Sequence, residues 1–344
     1  MIGDAKESPN CSDDAGKASR GHTRAEASTR FFYHSFPRRG RGTDDEIEKG
    51  CKILALICDA GLVLAPEVVK WSYPHADGSP PRDQQTIQRR ICFTELALHE
   101  LSGHAQEFGH FALEFDVKTL KRLGAMPVFY IPQATAEDAS ETASLGSTLV
   151  VQSIDALILA MRLAGVKKLV DDPMHQGPLD CTFGFEKLKT FRMDARETRR
   201  FLDAFTYALT PPDLLEHALT GLLSCFYPAD NLRDNKALAY YRQREWRIAW
   251  NFAVRGEDVM RRPSQELIQR LLAIDADFFG RDFPTASGVN QLAAEAYVLP
   301  GIGGERIIEL VNRVIVPRAA LTKAKEIAAE TAPNTPVVCI EDMG

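Results

Sequence analysis

The stretch YYRQREWR at residues 240–247 gathers aromatic and arginine side chains around one carboxylate. Interpreted as a strand, it puts Glu245 and Arg247 on one face and Arg244 on the other. A carboxylate between two arginines stays ionised, and two guanidinium groups can bind a phosphate in a bidentate manner. The pattern favours a ligand-binding surface over the simpler alternative, a solvated strand with cross-strand ion pairs.

A second stretch whose side chains could bind a ligand is RICFTEL at residues 90–96, in which Phe93, Thr94 and Glu95 end a predicted strand. A hydroxyl and a carboxylate would then lie where a helix begins, and helix N-termini present free N–H groups to anions. The simpler interpretation, which this stretch favours when taken alone, is that Thr94 caps the following helix.

Histidines and acids are concentrated just after this stretch, where His99, His104 and His110 lie among four glutamates. The helical spacing points His99 and His104 in different directions, so we favour ordinary surface pairs, His99 with Glu95 and His104 with Glu100, over a metal site. The sequence lacks the motifs of P-loop nucleotide binding, zinc proteases, serine hydrolases and dinucleotide binding. Its seven cysteines lack zinc-finger spacing, and we expect free thiols and no metal.

The composition, 45% hydrophobic and 26% charged over 344 residues, is typical of a globular protein. A formal net charge of -6 argues against binding nucleic acid by bulk electrostatics. Arginines at positions 38, 39, 41, 89 and 90 leave a nucleic-acid-directed enzyme as the third and least favoured function. The longest apolar segment, 145–170, is interrupted by Ser147, Gln152, Asp155 and Arg162. We therefore expect a cytoplasmic protein without a membrane span or a signal sequence.

The elements that position these residues follow from hydrophobic periodicity. Residues 1–30 have almost no large apolar side chains, so we expect a disordered tail followed by a single domain over 31–344. A mostly helical segment over about 136–225 is predicted to be an insertion that covers a sheet. The other predictions are strands at 31–36, 90–94, 110–115, 127–131, 166–170, 183–188, 240–252, 296–299 and 337–340, and helices at 47–58, 96–108, 117–123, 304–314 and 319–329.

Five segments in this order suggest a family. They are RICFTEL (90–96), FGHFALEF (108–115), MPVFYIP (126–132), YYRQREWR (240–247) and IVP (315–317). Together they resemble the abortive phage-resistance AbiGi family, whose name carries an antitoxin label, over roughly residues 31–342. The resemblance implies a bacterial phage-defence or toxin–antitoxin protein, with a toxin or another defence protein as its partner.

A more distant resemblance, to the ADP-ribosyltransferase fold, implies a mechanism. That fold begins with a strand bearing a ligand-binding His or Arg, as at His34, and a helix that ends in a Gly-Leu turn, as at Gly61. Its second motif is similar to residues 91–115, and its third supplies a glutamate from a later strand, for which Glu245 is the candidate by order. The implied fold class is α+β, with a split antiparallel sheet, flanking helices and the helical insertion.

The same resemblance implies NAD or a related nucleotide as the substrate. His34 would bind the nicotinamide-side ribose, and Glu245 would stabilise an oxocarbenium-like transition state, which makes these two residues the candidate catalytic pair. The candidate NAD-binding residues lie beside them in the sequence: Tyr33, Ser35, Phe93, Thr94, Glu95, Arg244 and Arg247.

Two functions of different classes follow from these resemblances. The first is an enzyme that transfers ADP-ribose or hydrolyses NAD, and the second is a non-catalytic, antitoxin-like module that neutralises a partner toxin by contact. An enzyme requires His34, Thr94 and Glu245 to converge on one concave pocket, with the Glu245 face meeting His34 across the sheet. If these three residues lie on different faces of the protein, the binding module is favoured.

Overall fold

The computed structural model describes residues 30–37, 46–73, 82–132, 141–174, 177–183, 189–208, 211–229, 244–251, 253–254, 257–285 and 288–343. The expected disordered tail lies outside these residues except for Arg30, with which the first strand begins.

The strands are β1 (Arg30–Phe36), β2 (Leu62–Leu64), β3 (Pro66–Tyr73), β4 (Arg82–Ala97), β5 (Phe111–Phe115), β6 (Met126–Pro127), β7 (Phe129–Pro132), β8 (Leu179–Phe183), β9 (Lys189–Met193), β10 (Phe226–Ala229), β11 (Glu245–Ala249), β12 (Ala253–Val254), β13 (Glu257–Asp258), β14 (Asp282–Thr285), β15 (Gly288–Gln291), β16 (Tyr297–Leu299), β17 (Gly301–Ile302), β18 (Glu305–Arg306), β19 (Arg313–Val316) and β20 (Val337–Cys339). The helices are α1 (Glu46–Ala60), α2 (Leu101–Phe108), α3 (Val117–Arg122), α4 (Glu141–Asp171), α5 (Ala195–Ala208), α6 (Pro212–Cys225), α7 (Gln265–Ile274), α8 (Ala276–Phe279) and α9 (Leu321–Thr331).

One eight-stranded sheet forms the centre of the fold. Its strands lie in the order β20-β19-β5-β1-β4-β11-β6, and β3 pairs with β4 outside this path. Neighbouring strands run antiparallel except β19 and β20, which are parallel. The predicted α+β class with flanking helices is confirmed, and the sheet is mixed where an antiparallel one was expected.

Strand β4 is 16 residues long and belongs to two parts of this sheet. Its first half pairs with β3, whereas its second half pairs with β1 and β11. The pairing of β1 with β4 stops at Tyr33 and Thr94. The predicted helix start at residue 96 is wrong, because Leu96 and Ala97 still pair with β1 and α2 begins only at Leu101.

The apolar core lies on the face of the sheet that packs against α1 and α9. Phe32, Phe93 and Leu113 point into it from three neighbouring strands and are at most 5% exposed. Helix α1 packs closely on β5 at Gly50, where a Cβ atom would come within 2.2 Å of the Phe111 ring. The chain needs a residue without a side chain at this contact, because such a distance is sterically forbidden.

Residues 141–225, within the predicted insertion, form α4, the hairpin of β8 and β9, and then α5 and α6. The strand predicted at 166–170 is wrong, because these residues lie inside α4. Leu163, Val166 and Val170 recur at helical spacing and pack against Leu179 and Leu202, so the hairpin and α5 cover this face of the helix.

Near the C-terminus, the helix predicted at 304–314 is also wrong. Gly303 and Gly304 adopt positive φ angles in the turn between β17 and β18, and β19 begins at Arg313 after a short 3-10 turn. Val314 and Val316 are fully buried in the sheet between β5 and β20. Strand pairing therefore decides the conformation of these residues.

Helix α4 is the one helix in the described part of the chain that is long and apolar enough to cross a membrane, by length and composition alone. The candidate segment is Thr148–Asp171, with a mean hydropathy of 1.7 over a window of which 28% is buried. The sequence analysis expected Gln152, Asp155 and Arg162 to rule out a membrane span. They do not lower the mean hydropathy of the segment below that of a candidate span. Val150 and Ile154 pack against Trp71 of β3, so part of this helix covers the sheet.

Candidate functional site

A row of polar residues crosses five neighbouring strands of the sheet in direct register. Arg313 pairs with Glu114, Glu114 with Tyr33, Tyr33 with Thr94, and Thr94 with Glu245. Paired residues project from the same face of a sheet, so the row lies on the face opposite the apolar core. We call these five residues the polar row. It contains two of the three residues on which the enzymatic interpretation depends.

One end of the polar row is a buried carboxylate with two donors. The Oε2 atom of Glu114 accepts from the Tyr33 hydroxyl at 2.9 Å and from Arg313 Nε at 2.8 Å. Arg313 Nη2 lies 2.7 Å from the same oxygen, and the Glu114 side chain is 2% exposed. Burial and the nearby Glu114 charge raise the pKa of Tyr33, so its hydroxyl stays protonated and keeps donating.

The other end repeats this arrangement around Glu245. Arg247 Nε donates to its Oε1 atom at 2.7 Å, and the Tyr130 hydroxyl donates to its Oε2 atom at 2.6 Å. The side chains of Glu245 and Arg247 are 10% and 2% exposed. Burial acts to raise the pKa of Glu245, but the Arg247 charge and hydrogen bonds from Arg247, Cys92 and Tyr130 outweigh it and hold the pKa below its usual value. Glu245 is therefore an ionised carboxylate with both oxygens engaged.

The same end of the row is joined to the insertion through the last turn of α6. Arg247 Nη1 lies 3.5 Å from the Ser224 carbonyl oxygen, and Gln88 Nε2 donates to the Leu223 and Phe226 carbonyls at 2.8 and 3.1 Å. Carbonyls at the C-terminus of a helix have no partner within the helix, so these side chains supply one. The positive guanidinium also lies at the negative end of the helix dipole.

The centre of the polar row carries a histidine between two hydroxyls. His104, on α2, has Nε2 at 3.2 Å from Thr94 Oγ1 and Nδ1 at 3.4 Å from Ser35 Oγ, and its ring stacks on Phe108. Burial lowers the pKa of His104 to about 4, so the imidazole is neutral near pH 7. A neutral ring donates through one nitrogen and accepts through the other. The centre can therefore exchange hydrogen bonds with an uncharged polar group, but it is a weak base.

His34 lies on the opposite face of the sheet from Thr94 and Glu245. Its ring packs between Phe36 and Phe93, with centroid distances of 5.9 and 5.8 Å, and its Nδ1 atom is 3.0 Å from the Cys92 carbonyl oxygen. Burial lowers the pKa of His34 to about 4, which keeps it neutral. The structure thus brings Thr94 and Glu245 together and does not bring His34 to them.

The other predicted binding residues divide between the two faces and the end of the sheet. Tyr33, Ser35 and Arg247 share the face of the polar row, whereas Phe93 is fully buried in the apolar core. At the end of β4, Arg244 donates through Nε to the Glu95 carbonyl at 3.0 Å.

Arg244 also has an unusual backbone. Its φ is 45°, a left-handed value that a residue with a side chain seldom adopts. Its backbone carbonyl accepts from the Glu95 N–H at 3.3 Å, and its Nη2 atom donates to Glu100 at 3.0 Å. These contacts hold the residue that precedes Glu245 in its strained conformation.

Sequence reasoning missed several members of this arrangement, among them Arg313 at one end of the polar row. The predicted surface pairing of His104 with Glu100 is wrong, since Glu100 binds Arg244 and His104 faces the sheet. Tyr130 gave no local signal, because its partner lies 115 residues away. Glu114 did give one, since a single carboxylate inside the apolar strand FALEF predicts a buried partner.

Two further expectations concern metals and nucleic acids. Among the described residues, no group of three or more His, Cys, Asp and Glu side chains is placed to hold a metal ion. Arg89 and Arg90 are used internally, since they pair with Glu295 and Glu67 at 2.7 Å. Their side chains are 13% and 7% exposed, so they offer little charge to a phosphate backbone. The arginines at 38, 39 and 41 lie outside the described residues.

Comparison of the chain with models of protein families, with curated proteins and with solved structures finds no match.

Proposed function

We propose that this chain is a cytoplasmic phage-defence or toxin–antitoxin protein of the AbiGi type that acts as a non-catalytic binding module. Its ADP-ribosyltransferase-like sheet would serve as the scaffold, and its task would be to neutralise a partner toxin by contact. Support for this type of fold comes from β1, β4 and β11, the strands that carry the three motifs of the resemblance. They are neighbours in the sheet, and β1 and β4 stop pairing part-way along their length.

The observation that carries the proposal is the closed environment of Glu245. A carboxylate that stabilises a developing positive charge on a ribose must reach that sugar and form a hydrogen bond with its hydroxyl. Both oxygens of Glu245 are already bonded, to Arg247 and to Tyr130, and the side chain is 10% exposed. His34, which would bind the substrate, faces the apolar core instead. This geometry favours the binding module over the enzyme.

An NAD-consumption assay on the full chain tests the non-catalytic part of the proposal. We expect the wild type to consume NAD no faster than the buffer blank, and Glu245→Gln to behave identically. Tyr130→Phe is assayed beside these two proteins, because it frees one oxygen of Glu245 and changes little else in the shape of the site. NAD turnover by the wild type that is abolished in Glu245→Gln would overturn the proposal and support the enzyme.

Co-expression with a candidate toxin in bacteria tests the second part. We expect the wild type and Glu245→Gln to relieve growth arrest equally at equal protein levels, because contact rather than chemistry would neutralise the toxin. Relief by the wild type alone, with Glu245→Gln folded and present in the same amount, would show that the carboxylate acts chemically and would contradict the binding-module assignment.

A further inference from the structure

The second half of α4 carries an apolar face that the first half of the helix uses to cover the sheet. In the first half, Val151 and Ile154 lie on this face and are buried, with Ile154 packed against Trp71 of β3. Met161 follows Ile154 by about two helical turns and Leu169 follows Val151 by about five, so both continue the same face. Met161 and Leu169 are nevertheless 50% and 49% exposed. The apolar face therefore extends beyond the residues that cover it.

Helix α5 widens this exposed apolar face. It packs beside the second half of α4, and Arg199 Nε lies 3.5 Å from Asp171 Oδ1 along one edge of the helix pair. Residues two positions apart point in nearly opposite directions around a helix, so Leu169 and Phe201 lie at the other edge of the pair. Phe201 is 59% exposed. Met161, Leu169 and Phe201 thus form one surface over two helices, which we call the α4–α5 surface.

The segment around the α4–α5 surface is basic, although the chain as a whole is acidic. Residues 162–200 contain nine lysines and arginines and six aspartates and glutamates, which gives them a net charge of +3, whereas the whole chain carries -6. Lys168 and Arg200 directly precede Leu169 and Phe201 and are exposed. An anionic surface would repel most of this protein and attract this end of it. The charge distribution therefore complements a negatively charged partner at the α4–α5 surface.

The hydropathy of α4 favours a lipid bilayer as that partner. The segment Thr148–Asp171 reaches a mean hydropathy of 1.7, which is high enough for a membrane span. A helix this apolar in the interior of a water-soluble protein is mostly buried, but only 28% of this window is buried. Exposed apolar side chains with lysine and arginine beside them are typical of helices that lie in the headgroup region of a bilayer.

We propose that the α4–α5 surface attaches this protein peripherally to bilayers that contain anionic phospholipid. Met161, Leu169 and Phe201 enter the boundary between headgroups and acyl chains, while Lys168 and Arg200 contact lipid phosphates. The first half of α4 stays packed on β3, so the protein lies on the bilayer and does not span it. Three apolar side chains make this attachment weak and reversible. This inference does not depend on the proposed function.

Flotation of the full chain with phosphatidylcholine vesicles, with and without phosphatidylglycerol, tests the proposal. We expect binding to vesicles that contain phosphatidylglycerol, and weaker binding to phosphatidylcholine alone and at high salt concentration. Lys168→Gln should bind about fivefold more weakly, which is the usual contribution of one basic residue near anionic lipid. The effect of each variant is measured with the vesicles that contain phosphatidylglycerol.

A matched pair of variants tests which side of α4 meets the bilayer. Leu169→Asn should bind about tenfold more weakly, because it removes one of the inserted apolar side chains. Leu159→Asn makes the same chemical change at a 51% exposed residue that points away from Met161, and it should bind like the wild type. Met161→Asn provides a second test of the same surface, and the melting temperature of each variant shows that it is folded.

Four results would overturn the proposal. Absence of wild-type binding to vesicles that contain phosphatidylglycerol excludes the attachment. Equal binding to both kinds of vesicle at every salt concentration would show that the basic residues do not contribute. Equal weakening by Leu159→Asn and Leu169→Asn would show that the α4–α5 surface is not the part that meets lipid. Resistance of the bound protein to extraction by alkaline carbonate would make α4 a membrane span.

Discussion

Replacing Arg247 with methionine tests whether the buried end of the polar row is held by its charge pair. The side chains of Arg247 and Glu245 are 2% and 10% exposed, so neither charge is well solvated. Methionine keeps much of the volume but leaves the carboxylate without its compensating charge. Removing one member of a buried pair costs about 3–5 kcal/mol, and we expect Arg247→Met to lose this much free energy of unfolding at neutral pH.

The pH dependence of this loss has a definite sign. In the wild type the folded pKa of Glu245 is below its usual value, so its contribution to stability is present above the unfolded pKa and is lost as the pH falls through the folded pKa. Without Arg247, burial raises the folded pKa of Glu245 above the unfolded value. The folded variant then gains a proton at higher pH than the unfolded chain does. The stability difference between wild type and variant should therefore shrink as the solution is acidified from about pH 7 to about pH 5.

Urea unfolding followed by tryptophan fluorescence suits this measurement, because Trp246 and Trp250 lie beside Arg247 in and just after β11. Adding Glu245→Gln to Arg247→Met removes the unpaired charge and should recover part of the lost stability. Arg270→Met is the control, since its pair with Asp59 is exposed and should contribute at most about 1 kcal/mol. A loss below about 1 kcal/mol in Arg247→Met, or a loss that is the same at both pH values, would refute the reasoning.

Three further predictions concern other contacts. Because burial lowers the pKa of His34 and His104 to about 4, the free energy of unfolding should fall from about pH 6.5 to about pH 4, and a urea series should show a shallower fall in His34→Gln. Gln88→Ala leaves two carbonyls at the end of α6 without their donor, so proteolysis within the insertion should accelerate, and unfolding should become easier by about 1–3 kcal/mol. Gly61→Ala should lower the melting temperature, because φ is 107° and the new Cβ would lie 2.1 Å from the Leu299 carbonyl oxygen. An unchanged melting temperature in Gly61→Ala would contradict the steric argument at this position.

Local periodicity was enough to predict several parts of the fold and of the site. The strands around His34, Phe93 and Glu245 are present, and alternation along β11 correctly put Glu245 and Arg247 on one face. Alternation fixes which residues share a face within a strand, because it is a property of the backbone alone. It does not fix which face of one strand matches which face of the next. The relation of His34 to Glu245 therefore required the register of β1 and β4.

Contacts between distant segments could not be predicted in this way. Arg313 lies 199 residues from Glu114, and Tyr130 lies 115 residues from Glu245, so no local window contains both partners. The helix expected at 304–314 failed for a related reason. Pairing with the distant strands β5 and β20 draws its last residues, Arg313 and Val314, into β19, and the apolar residues at 307–310 form a short 3-10 turn.

The polar row also discriminates against misaligned sheets while the protein folds. A slip of one residue in β5 would turn Glu114 toward the apolar core and away from Arg313, and the same slip in β11 would turn Glu245 and Arg247 together toward the core and away from Tyr130. Each error would place acidic or basic side chains among aromatic rings, at a cost of several kcal/mol. Purely apolar faces would tolerate such slips more readily. The charged residues at the two ends of the row therefore destabilise wrongly paired intermediates, and in the folded protein they stabilise the correct register.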